Sequence, residues 1–180
     1  MELGVVFEYG GTIKLKLSSG RVTLLDMCQG LRFEVRFIGE RELESFCDVS
    51  QIRVIKQKNV VEQQFWQPQA YLPIYTKTGP QLKLWGNKSK YLELPQTSWA
   101  KLESIKAGNW EIFNPKPVLI MASACLDSKV WLELADGLTG LMVRADGQDM
   151  VYVVTRPADE AYTKVTGQAR QPLGNFIYPK

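Results

Sequence analysis

The sequence predicts an α+β fold: a single, mainly antiparallel β domain carrying two or three short helices. Three observations lead there. Short segments alternate apolar and polar residues and are separated by glycine-containing turns, the pattern of hairpin-linked strands. Helical spacing is confined to short stretches, at 40–46, 98–105 and 158–165. The run 118–126 is apolar apart from Ser123, with Pro115 and Pro117 before it and Asp127 after it, which reads as one buried strand.

In chain order, 5–7, 13–17 and 22–25 read as strands joined by turns at Tyr9-Gly10-Gly11 and Ser18-Ser19-Gly20. Residues 1–26 are therefore expected as extra N-terminal strands on a domain spanning 27–180. A strand is expected at 33–37, an amphipathic helical segment at 40–46 and a strand at 52–55. The polar stretch 57–69 reads as a loop broken by Phe65-Trp66, and 71–75 as an edge strand because Pro73 lacks an amide hydrogen. A turn at Thr78-Gly79-Pro80 leads to a strand ending at Gly86, followed by a basic excursion with Lys88, Lys90 and Tyr91. The segment 98–105 has helical spacing, with Thr97 or Ser98 as N-cap and Gly108 as stop. After the apolar run, 130–134 alternates, Ala135-Asp136-Gly137 turns, and 138–144 and 150–154 form a hairpin about Asp146-Gly147. Pro157 sits where the first turn of the 158–165 helix is expected, and Gly167 ends it.

Composition narrows the function. The 180 residues suffice for one real core, and 45% hydrophobic with 23% charged residues is ordinary for a globular protein. No apolar run is long enough to cross a bilayer, so no membrane association is expected. The net charge of +3 permits nucleic-acid binding without demanding it. Histidine is absent, which excludes Ser-His-Asp and Cys-His catalytic pairs and any histidine metal site. Three scattered cysteines, Cys28, Cys47 and Cys125, suit a reducing compartment, and with no CxxC pair neither a metal nor another cofactor is expected. A cytoplasmic location follows from the same reading.

Several residues have two readings. Asn114 and Asp127 stand at the two ends of the apolar run, either as groups facing a cleft or as turn residues. Cys28 reads as a nucleophile or as a small buried residue at a strand start. Trp85 and Trp99 read as core, or as base-stacking platforms if Lys83, Lys88, Lys90 and Lys101 line the same groove.

The order of motifs resembles the SOS-response-associated peptidase family (SRAP), whose members sense abasic sites in single-stranded DNA. The opening M-C-G-R-F of that family is similar to Met27-Cys28-Gln29-Gly30-Leu31-Arg32-Phe33, with an insertion. Its E-E-L-x-x-x-F helix resembles 40–46, and its segment before R-W-G resembles 68–75 leading to Leu84-Trp85-Gly86. P-S-W-A-K is echoed by Thr97-Ser98-Trp99-Ala100-Lys101, and G-N-x-x-x-N-A-R-A-E by Gly108-Asn109 through Asn114-Pro115-Lys116-Pro117. C-L-I-P-A-S-G-F-Y-E-W resembles 118–128, with Asp127 in the place of Glu. L-A-D-G, T-T-P-A-N and H-D-R-M-P are similar to 134–137, 155–159 and 168–172. The likeness is colinear over roughly 27–173, although each motif is degenerate.

The resemblance implies an SRAP-like fold, a role in the DNA damage response, and Cys28, Asn114, Asp127 and Gln168 as the catalytic set. It also implies DNA contacts from Lys83, Trp85, Trp99, Lys101, Lys116 and Arg170. The departures bear on chemistry. In the family the cysteine becomes N-terminal, its α-amine condenses with the sugar aldehyde, and its thiol closes a thiazolidine. Cys28 is preceded by 27 residues, so its nitrogen is an amide and forms no imine unless the chain begins there. Gln168 replaces the family histidine and hydrogen-bonds without shuttling protons. The expected function is therefore SRAP-like single-stranded DNA binding, with covalent capture not expected of the chain as written. The alternative is a non-catalytic β-rich binding module with a protein partner.

Overall fold

The computed structural model describes residues 7–9, 12–16, 22–25, 28–45 and 57–178. The strand expected at 52–55 lies outside them. Strands β1 (Phe7–Tyr9), β2 (Thr12–Lys16) and β3 (Val22–Leu25) form a three-stranded antiparallel sheet in that order. Among the described residues they pair only with one another.

A second sheet of eleven strands holds the rest. Its strands are β4 (Gly30–Glu34), β5 (Val60–Gln64), β6 (Tyr71–Thr76), β7 (Gly79–Trp85), β8 (Trp99–Lys101) and β9 (Lys116–Ile120). They continue with β10 (Ala124–Asp127), β11 (Val130–Ala145), β12 (Gln148–Pro157), β13 (Arg170–Pro172) and β14 (Gly174–Ile177). Helices α1 (Glu40–Glu44), α2 (Leu102–Lys106) and α3 (Glu160–Thr166) are one or two turns each. The fold is mainly β with short helices, as the α+β expectation required.

Pairing around β11–β12–β7–β6–β9 returns to β11, so five strands close into a ring. The pairs are antiparallel except β12 with β7 and with β8, which run parallel. The 16-residue β11 serves two layers. Its second half lies between β9 and β12 in the ring, whereas its first half continues outward through β10, β4 and β5. Gly137 makes this possible. It has φ +80, the β11–β14 register shifts between Leu134 and Leu138, and a Cβ at Gly137 would sit 2.3 Å from the Ile120 carbonyl. The expected turn at Ala135-Asp136-Gly137 is thus a bulge inside one strand.

Both faces of β12 are buried. Val151 and Val153 pack with Leu72, Ile74, Trp85, Trp99 and Ile120, while Met150, Tyr152 and Val154 pack with Trp110, Leu141 and Val143. A strand covered on both sides reads as a continuous apolar run, and 150–154 does.

Several expectations are corrected. The run 118–126 is two strands, β9 and β10, which are not neighbours in the sheet. They part at Met121–Ser123, where the Met121 amide bonds Pro73 and the Ser123 amide bonds Arg32. The expected helix at 98–105 begins only at Leu102, because the backbone of Trp99–Lys101 is taken up as β8 against Val153–Thr155. The 57–69 stretch contains β5, paired with β4, where a loop was expected. Beyond Glu34, residues Val35–Phe37 form a 3-10 turn rather than continuing the strand. Pro157 ends β12 and Asp159 is the N-cap of α3, so Pro157 does not lie in that helix. No helix among the described residues is long and apolar enough to cross a membrane.

Candidate functional site

Cys28, Asp127 and Gln168 come together where β4, β10 and α3 meet. Alternation along β10 sends Cys125 and Asp127 to one face, and both are fully buried. Cys28 is buried too, at a left-handed bend (φ 49) just before β4, and the Gln29 amide donates to the Leu126 carbonyl at 2.9 Å. This bend brings the Cys28 sulfur 3.4 Å from that of Cys125. Both thiols are free.

α3 supplies the cover. Asp159 caps it by accepting from the Tyr162 amide at 2.8 Å, and Gly167 ends it at φ 72. Tyr162 lies in the first turn, fully buried, and its hydroxyl donates to Asp127 Oδ2 at 2.7 Å. Asp127 Oδ1 is buried with no well-formed hydrogen bond. Burial pushes the Asp127 carboxyl above the usual carboxylate range. The Tyr162 bond and, more weakly, the nearby Cys28 and Ser128 amides oppose that rise without cancelling it. The Cys125 thiol is raised by its hydrogen bond with Cys28 and then by burial, and burial also raises the Tyr162 phenol. Gln168 reaches the edge of this cluster, its amide donating to Ser128 Oγ at 2.9 Å. Ser128 and Lys129 both adopt positive φ and form the two-residue turn from β10 into β11.

Asn114 is elsewhere. It has left-handed φ 47 after the 3-10 turn Glu111–Phe113, and its amide bonds the Glu111 carbonyl at 3.0 Å. With Ile112, Lys116, Met142, Arg144 and Asp149 it lines a cavity of about 460 Å³. Lys116 pairs with Met142 and Asp127 with Val130, so Asn114 and Asp127 sit beside opposite ends of β11. The expected four-residue set is thus three residues in one cluster and one apart.

The expected DNA contacts divide in the same way. Trp85 and Trp99 are core residues, 1% and 6% exposed, and neither ring offers a face for stacking. The Trp85 indole N–H is consumed by the Ser98 carbonyl at 3.1 Å. Arg170 forks onto Glu103 at 3.2 and 2.7 Å and also donates to Thr155, so most of its donors are engaged within the chain. The Arg170 guanidinium holds the Glu103 carboxyl below its usual range. Lys83 is paired with Asp149 at 2.8 Å. Lys101 and Lys116 remain exposed, the former with its ammonium 5.8 Å from the Trp99 ring centre.

Exposed aromatics lie instead on the β5–β6 connection, on β6 at Tyr75 and on the loop after β7. Trp66 is 56% exposed and Tyr91 85%. Lys88 joins the two segments: its ammonium lies 5.0 Å from the Phe65 ring centre and donates to the Gln67 carbonyl. Partial burial lowers the Lys88 pKa. Lys90 lies 5.2 Å from the Tyr91 ring centre. The loop is braced from within. The Asn87 amide donates to the carbonyls of Ser89 (3.0 Å) and Leu94 (2.9 Å), and Gln96 donates to the Lys88 carbonyl at 2.7 Å. Gly86 has to be glycine, because a Cβ there would lie 2.3 Å from the Thr97 carbonyl. A cavity of about 180 Å³ opens alongside, walled by Pro68, Trp85, Lys88, Leu92 and Met150. Trp66 and Tyr91 were not among the expected contact residues, yet the sequence held a signal for the exposure of each. One is an aromatic in an otherwise polar stretch, the other in a basic excursion.

Comparison with family models, with curated proteins and with solved structures finds no match.

Proposed function

We propose that this chain is an SRAP-like protein that binds single-stranded DNA without capturing it covalently. The observation that carries the reading is the exposure of Trp66 and Tyr91 on two segments that Lys88 joins through Phe65 and Gln67, with Lys90 beside Tyr91. Aromatic faces stack on bases of any identity while ammonium groups neutralise phosphates, which is how single strands are held without sequence preference. The SRAP-like part rests on the colinear motif order, together with the meeting of Cys28, Asp127 and Gln168 at one point of the fold. Capture is left out because the Cys28 nitrogen is a peptide amide, which forms no imine.

The test is fluorescence anisotropy with a labelled oligothymidine at several salt concentrations. Affinity is expected to fall with a log-log slope of about −0.7 for each phosphate neutralised. No binding at low salt, or binding with no slope, overturns the reading. The alternative, a non-catalytic β-rich module with a protein partner, is favoured by Ile112, which is 83% exposed beside the Asn114 cavity.

A further inference from the structure

Two sulfurs in van der Waals contact inside a core are an oxidisable pair as well as a packing contact. Cys28 and Cys125 are 97 residues apart in sequence, both fully buried, with sulfurs 3.4 Å apart. A disulfide needs about 2.05 Å, so closure asks each side chain to turn by a fraction of its length. Their backbones differ in freedom. Cys125 lies inside β10, hydrogen-bonded to β4 on one side and β11 on the other. Cys28 precedes the β4 ladder, at a left-handed bend where a non-glycine residue is uncommon. A peroxide is therefore expected to reach Cys28, just before β4, ahead of Cys125 inside β10.

We propose that Cys28 and Cys125 are a modification site: a dithiol that hydrogen peroxide converts to an intramolecular disulfide. The Cys28 sulfur attacks one peroxide oxygen. The O–O bond breaks, an S–O bond forms, and the leaving hydroxide takes the thiol proton as water. Cys28 is now a sulfenic acid. The Cys125 sulfur then displaces its hydroxyl: the S–S bond forms, the S–O bond breaks, and the Cys125 proton leaves with the hydroxyl as a second water. Each sulfur loses one electron and the two peroxide oxygens gain them. The hydrogen bond with Cys28 and burial raise the Cys125 thiol, so the first attack falls to Cys28, and Cys125 must give up its proton as it displaces the hydroxyl. The resulting bond ties the bend before β4 to the middle of the sheet across most of the chain. A thiol reductant reverses it.

The experiment treats the folded full-length protein with hydrogen peroxide. Remaining thiols are then blocked with iodoacetamide in denaturant, and unreduced digests are compared with reduced ones by mass spectrometry. The expected result is a peptide pair joined through Cys28 and Cys125 that disappears on reduction and persists in Cys47→Ala. In Cys125→Ala, dimedone is expected to trap a sulfenic acid on Cys28. Full alkylation of both cysteines after peroxide overturns the proposal, as does sulfinic acid on either without the joined pair, or a link made only to Cys47. The joined peptide is read in the natural sequence, so the proposal remains testable if Cys125→Ala does not fold.

Discussion

The Tyr162 hydroxyl donates a 2.7 Å hydrogen bond to Asp127 Oδ2, and neither side chain touches solvent. A residue in the first turn of a short helix thus gives one oxygen of the buried Asp127 carboxyl its donor, while the other has none. Removing the hydroxyl leaves that oxygen desolvated without a donor. Tyr162→Phe is expected to cost about 1–3 kcal/mol of stability in chemical denaturation. A cost indistinguishable from zero would mean the bond is not made in solution.

The raised pKa of Asp127 has a definite sign. The folded state favours the neutral acid, so this group's stabilising contribution is full below the unfolded value of about 3.9 and is lost as pH rises through the raised folded value. Asp127→Asn keeps an acceptor for Tyr162 and removes the ionisation. The melting temperature of this variant relative to the natural protein is therefore expected to improve as pH rises from about 4 towards neutrality. A difference that stays flat with pH would refute the assignment.

Two tryptophans separate binding from folding. Trp66→Ala is expected to weaken single-stranded DNA binding by about 1–3 kcal/mol with little change in melting temperature. Trp85→Ala is expected to destabilise the fold by about 3–5 kcal/mol. Equal effects of the two on affinity, measured where both variants are folded, would remove Trp66 from the binding surface.

Arg170 is expected to behave as a strut. Its guanidinium is held by Glu103 and Thr155, so Arg170→Ala should lower the melting temperature and leave oligonucleotide affinity and its salt slope unchanged. A reduced slope would instead put Arg170 on a phosphate.

The full chain is expected to form no heat-stable adduct with abasic single-stranded DNA on a denaturing gel. The amide of Cys28 is no nucleophile, and a thiol alone adds to an aldehyde only reversibly. An adduct surviving in Cys47→Ala and lost in Cys28→Ala would overturn this.

What the sequence revealed follows the range of the forces involved. The Asp146-Gly147 hairpin was legible because both residues must take positive φ, and they do (49 and 78). The α3 stop at Gly167 was legible for the same local reason. The helix expected from 98 was not, since helical spacing at Trp99 and Ala100 lost to backbone pairing with β12, more than fifty positions away. The split of 118–126 was likewise hidden, because its cause is a pair of hydrogen bonds to Pro73 and Arg32. In the site, Cys28 and Asp127 lie together with Gln168 at their edge through Ser128, whereas Asn114 is separated from Asp127 by the length of β11, a distance that no local pattern encodes. The role of each tryptophan turned on exposure, which composition does not encode. Trp66 and Trp85 are the same residue type on opposite sides of that divide.

The two-layer role of β11 also sets the order in which this chain can assemble during synthesis. β11 takes partners made before it, β9 and β10, and partners made after it, β12 and β14. When β11 leaves the ribosome, one of its edges has strands waiting and the other has none. That open edge, rich in leucine and valine, stays available to wrong partners until residues 148–177 have followed. The ring then closes by pairing β12 with β7, whose partners Met150 and Leu84 lie far apart in sequence, so closure is expected to be the slow step. The nascent chain is then most in need of a chaperone in the interval between the synthesis of β11 and that of β14.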